Sequence, residues 1–181
     1  MMVCSLFSSN ASLYKPDLSD IVTTNLSSVN FMDFRLNRKV LTDEVQQYID
    51  RISPKSNLLI ANYIVDYSLE YNLDICFVLA QTQIETNFGT LGVGRSTSRY
   101  SLFGVCKSYT NYDDAVKDYC RLVRTSYLGT VKTENDLMRN YVTLSGKRYA
   151  SNRKYEVSLR KLYTKIKNTT KIYELQKGLK N

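Results

Sequence analysis

The chain has 181 residues, 43% of them hydrophobic and 23% charged, which is enough for one well-formed core and a squeeze for two. It has no histidine, and its four cysteines (Cys4, Cys76, Cys106 and Cys120) form no CxxC or other short pair, which largely removes zinc sites, histidine-based triads and Cys–His nucleophiles. A net charge of +8 suits an anionic partner, whether nucleic acid, a membrane surface or an acidic polymer, and equally a solvated basic surface.

Residues 1–40 are rich in Ser, Asn and Thr with weak periodicity, and read as an N-terminal arm or docking extension. The opening "MMVCSLFSSNAS" has no positive n-region and makes a poor signal peptide. No apolar run approaches the roughly 20 residues that span a bilayer, so no transmembrane segment is expected. From Leu41 the text becomes helical. "LTDEVQQYIDRI" opens with Thr42 as N-cap and acids in its first turn. "SPKSNLLIANYIVDYSLEYN" follows, with Ser53 before Pro54 as a cap–N1 pair and an apolar stripe of Leu58, Leu59, Tyr63, Ile64 and Tyr67. Asp74 caps a third helix, "ICFVLAQTQIETNF", and Gly89, Gly92 and Gly94 end it and open a loop. After a short "LFGV", Asn111 caps "NYDDAVKDYCRLVRTSYL", with Asp114 three residues on in a near capping box. "ENDLMRNYVTL", "NRKYEVSLRKLYTKIKN" and the tail "TKIYELQKGLKN" supply the remaining helices. The class is mainly α, with buried free thiols the default and Cys106–Cys120 the pair to check for a disulfide.

One residue in this text asks for a chemical explanation. On a helical wheel, residues 74–88 are apolar nearly all round, which marks a central helix, yet Glu85 stands among them. No Lys or Arg occurs between Lys55 and Arg95, so Glu85 has no partner on its own helix. An unpaired carboxylate in an apolar setting is costly to ionise and its pKa should rise. A carboxylic acid kept protonated is what general-acid cleavage of a glycosidic bond needs. The bland alternative is that Glu85 reaches a solvent edge or meets a distant arginine.

Four segments then carry a resemblance. "LAQTQIETNFGT" (79–90) is similar to "LAQAALESGWG", "SLFGV" (101–105) to "NLFGI", "YTNYDDAVKDYC" (109–120) to "YPSYEESIQDYA", and "GKRYASNRKYEVSLRKLYTKI" (146–166) to "GYATDPxYxxKLxxxI". In that order they resemble the bacterial and phage glucosaminidase family, glycoside hydrolase family 73, of the lysozyme-like superfamily, over roughly residues 75–166. The resemblance implies a lysozyme-like helical domain over 41–181 that cleaves the glycan strand of peptidoglycan, as a β-N-acetylglucosaminidase or muramidase, with no cofactor or metal. It implies Glu85 as general acid, Tyr149 lining the site from the "YAT" position, Phe103 and Gly104 bordering the cleft, and Gln81 one turn before the acid.

The chain also departs from the family. Only Cys106, Lys107 and Ser108 separate Val105 from Tyr109, so the β-lobe that brings a second carboxylate in many members is reduced or absent. No acid occurs from Thr86 to Asn111, which leaves Asp113 as the candidate second carboxylate beside its plainer reading as a helix-start acid. With one carboxylate, the substrate's N-acetyl group can assist water, or the 6-hydroxyl of muramic acid can attack intramolecularly as in lytic transglycosylases. Ser101 replaces the family's Asn, and Phe88 keeps the bulk of its Trp. Arg95 and Arg99 in the glycine-rich loop are candidates for carboxylates of a peptide stem or lactyl group, and Tyr100, Tyr109, Tyr112 and Tyr149 for stacking on sugar rings. Peptidoglycan is the expected partner, with other virion proteins docking through 1–40 and no nucleic acid. The expected location is a bacteriophage virion, or delivery to the bacterial cell wall. The competing reading is a catalytically inactive lysozyme-like structural or wall-binding virion protein.

Overall fold

The structure, a computed structural model, describes residues 18–56, 58–92, 100–104, 107–150 and 152–180, with the backbone alone for 18–31 and 153. Arg95, Arg99, Cys4, Cys106 and the first half of the predicted arm lie outside the described residues. The chain divides into two compact units, residues 1–35 and 36–181. Helix α1 (Leu18–Ile52) supplies the described part of the first and, from Leu36, the first helix of the second. The sequence reading placed the end of an arm at residue 40 and a helix start at Thr42. Neither Gly nor Pro occurs from Asp17 to Ile52 to break a helix, and the Thr42 hydroxyl donates to the Arg38 carbonyl four residues back instead of capping.

The second unit continues with α2 (Ala61–Glu70), α3 (Ile75–Thr86), α4 (Tyr112–Leu122), a π-helical turn (Val123–Leu128), α5 (Glu134–Asn140), α6 (Arg153–Thr169) and α7 (Ile172–Lys180). The described residues hold no strand, only one antiparallel bridge, Val142 to Arg148. The fold is mainly α, as the lysozyme-like expectation requires, with no β-lobe among these residues. No described helix is long and apolar enough to cross a membrane.

Helix α3 is the axis of the core. Residues Ile75 to Thr82 are buried on every side, and α2, α6 and α7 pack around them. Burying both ends of a helix orphans its terminal N–H and C=O groups unless side chains meet them. Here they do. At the start, Asp74 Oδ1 accepts from Cys76 N, Gln176 Oε1 of α7 from Ile75 N, and Glu134 Oε1 of α5 from Asp74 N. At the end, Asn87 and Phe88 turn left-handed (φ 46° and 55°), and two serines hold that turn. Ser53 Oγ donates to the Asn87 carbonyl at 3.0 Å and Ser56 Oγ to that of Phe88 at 2.7 Å. The predicted Ser53–Pro54 helix start is thus a loop, and α2 begins only at Ala61. Ser53 is a clamp on the end of α3 rather than a cap.

The predicted helix over 134–144 stops at Asn140, where Tyr141 turns left-handed (φ 56°). The chain then reverses through Gly146, and Tyr149 N returns to the Tyr141 carbonyl at 2.8 Å. Cys76 and Cys120 are buried free thiols, so Cys120 takes no part in a disulfide.

Candidate active site

Beyond its last buried turn, α3 reaches the surface of a cavity. Gln83, Ile84 and Glu85 are half-buried, so Glu85 is not enclosed as the wheel implied; it opens to one side. Among the described residues no basic side chain forms an ion pair with it. The cavity, about 360 Å³, is lined by Gln81 and Glu85 of α3, by Phe103, by Tyr119 and Leu122 of α4, by Tyr127, by Tyr149, Ala150 and Asn152, and by Tyr155 of α6. Glu85 is the one acid among the described residues of this lining.

Gly104 is drawn against Glu85 from α3 itself. Thr86 Oγ1 donates to the Leu102 carbonyl at 2.8 Å, which ties residues 101–104 to the end of the helix. Gly104 then sits with φ 67°, and a Cβ built on it would lie 2.1 Å from Glu85 Oε2. The carboxylate packs directly on the glycine backbone, where no side chain fits.

Beneath Glu85 runs a directional chain of hydrogen bonds. Tyr119 Oη donates to Gln81 Oε1 at 2.8 Å, which leaves the Gln81 amide nitrogen to donate to Tyr155 Oη at 2.6 Å. Having accepted there, the Tyr155 hydroxyl keeps its own proton to give, and burial first, with the nearby Glu85 carboxylate after it, holds that proton on the phenol. Phe103 stacks flat on Tyr119, centroids 3.6 Å apart, and fixes that ring. Tyr149 meets Tyr127 edge-on at 5.4 Å and lies 6.5 Å from Tyr155.

Burial pushes the phenols of Tyr119, Tyr149 and Tyr155 well above the usual value, as it does for Tyr163 in the core. They therefore stay protonated donors at neutral pH. A phenol that binds its proton more tightly folded than unfolded contributes stability that is whole below the ordinary 10.0 and is lost as pH climbs past it. Thermal unfolding followed by circular dichroism should give a level Tm from about pH 7 to 9 and a steep fall above about pH 10. A Tm as high at pH 11 as at pH 8 would contradict this.

Of the residues singled out from the sequence, Gln81, Glu85, Phe103, Gly104 and Tyr149 meet at this cavity. The other described ones lie elsewhere. Phe88 is fully buried, edge-on to Tyr48 at 6.1 Å. Ser101 is fully buried, and Tyr100 packs on Tyr112 at 5.1 Å. Tyr109 donates to Asp118 Oδ2 at 2.9 Å, and burial together with that bond pushes its phenol up to about 12. Asp113 accepts from Tyr67 of α2 and is absent from the cavity lining. Asp113→Asn should therefore keep turnover within about twofold of wild type and lose about 1 kcal/mol of stability with the weakened Tyr67 bond. A hundredfold loss of turnover with the fold intact would instead make Asp113 part of the chemistry.

The sequence reading missed Tyr119, Tyr127 and Tyr155. Two of them had a signal. Tyr119 follows Ala115 and Val116 on the buried face of α4, and Tyr155 heads the inward stripe Leu159, Tyr163 and Ile166 of α6. Tyr127 sits in the π-helical turn, whose altered register no 3.6-residue pattern reveals.

The glucosaminidase family, described as mannosyl-glycoprotein endo-beta-N-acetylglucosaminidase, matches the chain over residues 61–168, which holds every described element of the cavity. No curated protein and no solved structure matches it.

Proposed function

The chain belongs to the glucosaminidase family and is a glycoside hydrolase acting on peptidoglycan, and from that premise we propose that Glu85 is its general acid and that cleavage follows an N-acetylglucosamine residue. The observation that carries this is the placement of one carboxylate, packed on the Gly104 backbone, on a cavity wall whose other described residues are all uncharged. Two-carboxylate routes hold their acids about 5 to 9.5 Å apart, and no second acid lines the cavity among the described residues. The substrate's own acetamido group fills the vacant role. Its carbonyl oxygen attacks C1 while Glu85 gives its proton to the glycosidic oxygen, and the leaving sugar departs with the bond electrons. Water then adds to C1 of the cyclic intermediate, the ring opens, and Glu85 takes back a proton. Tyr149, held protonated by burial, is the donor placed to orient that acetamido group, and Gln81 is a positioning residue that, by donating to the Tyr155 oxygen, turns the Tyr155 proton toward Glu85.

Digestion of purified peptidoglycan, with products read by mass spectrometry before and after borohydride reduction, tests this. Reducible N-acetylglucosamine ends support it. Reducible muramic acid ends would move the cut to the other bond, and anhydro-muropeptides would replace water by the 6-hydroxyl. Delivery by a bacteriophage particle, docked through residues 1–40, is a separate proposal suggested by the Ser/Asn/Thr-rich arm; proteomics of purified particles lacking this chain would end it.

A further inference from the structure

The charge of this protein is concentrated at one end of the chain. Residues 146–181 carry eleven basic and two acidic side chains, a net +9, while residues 1–145 net −1. Of the two acids, Glu156 is buried and paired with Arg148, and Glu174 pairs with Lys177. Lys154, Lys161 and Lys165 follow one another along the outward edge of α6, about 10 Å and then about 6 Å apart at helical rise. All three are exposed and have no acid partner among the described residues. Lys154 directly precedes Tyr155, so the row starts beside the catalytic cavity and runs away from it.

We infer that this lysine row is a docking track for a phosphodiester-linked polyanion of the bacterial wall, carried by the same wall that holds the glycan. The inference rests on the reading of the chain as a wall glycosidase. The chemistry of the row favours that occupant over other anions. Its cations are lysines, point charges without the bidentate fork that reads base edges. The aromatics of α6, Tyr155 and Tyr163, face the cavity and the core, so no ring is offered for stacking single-stranded bases. The apolar face of α6 (Leu159, Tyr163, Ile166) is buried in the protein, so none of it is available for insertion into a bilayer. A flexible chain of evenly spaced phosphates needs only a line of exposed positive charge, and binding it there keeps the enzyme beside its substrate.

The test uses the full chain with Lys154, Lys161 and Lys165 all changed to Gln, and a second variant with all three changed to Arg. Each is co-sedimented with intact sacculi and with sacculi stripped of phosphodiester polymer, across a salt series. Wild type and the Arg variant should bind intact sacculi about tenfold more tightly than the Gln variant, with a salt dependence steeper by about two to three ions. That difference should vanish on stripped sacculi. Equal binding of wild type and the Gln variant to intact sacculi would overturn the inference. So would unchanged wild-type binding after stripping, or tighter wild-type binding to duplex DNA or to phosphatidylglycerol vesicles at matched salt. Muropeptide release from stripped sacculi is read in parallel. All three proteins should cleave these alike, and no release by any of them would sink the glycosidase reading by itself.

Discussion

Glu85→Gln should lower the rate of peptidoglycan cleavage by about a thousandfold while leaving the fold in place. General acid catalysis is worth about 10² to 10⁴ in rate, and an amide cannot supply the proton that the leaving oxygen needs. The substitution conserves shape, and the half-buried side chain has no ion pair among the described residues that its loss would break. Its carbonyl can still accept from Tyr155, whose oxygen already accepts from the Gln81 amide nitrogen and so leaves its own proton free to donate. Stability should therefore stay within about 0.5 kcal/mol and Tm within about 2 °C. Turbidity loss of sacculi and muropeptide release, set beside a melting curve, check both halves. A variant retaining more than a tenth of wild-type turnover would remove Glu85 from the proton transfer. One that fails to fold would mean that the carboxylate is structural, which its open position on the cavity wall argues against.

What the sequence disclosed about this site follows from where each constraint lies. The burial of α3, its Asp74 cap and the Asn111 cap of α4 are local matters of pattern and spacing, and all three stand as expected. The order of four motifs located the acid and the glycine that meet at the cavity. The clamp on the far end of α3 was not legible in the same way. Ser53 looks like a helix start because Ser–Pro is a good one, and only the packed structure gives its hydroxyl and that of Ser56 two carbonyls to satisfy more than 30 positions away. The same holds for Gln81. A glutamine on an apolar helix says nothing of its partners until Tyr119 from α4 and Tyr155 from α6 arrive on either side of its amide. Asp113 shows the converse. Its spacing permitted a catalytic role, and a bond to Tyr67 places it on the α2 side, which no one-dimensional pattern encodes.

Gly104→Ala should cost activity far more than it costs stability. Two penalties arise, and they act on different quantities. The left-handed backbone at φ 67° charges any side chain roughly 1 to 2 kcal/mol of folding free energy. The added methyl would also lie 2.1 Å from Glu85 Oε2 and 2.9 Å from its Cδ, which cannot stand. The atom in the way is the free end of a flexible side chain, so the carboxylate swings aside at little cost to the fold. For catalysis that movement matters, because a displacement of about 1 Å at the reacting group is worth about a hundredfold in rate. Gly146→Ala separates the two penalties, since Gly146 shares the left-handed conformation (φ 76°) but its Cβ would meet nothing within 4 Å. Both variants should lose similar stability in a denaturant titration, and only Gly104→Ala should lose about a hundredfold in turnover. If Gly104→Ala cleaves peptidoglycan as well as Gly146→Ala does, the contact between glycine and carboxylate has no part in aiming the acid, and the 101–104 segment serves the fold alone.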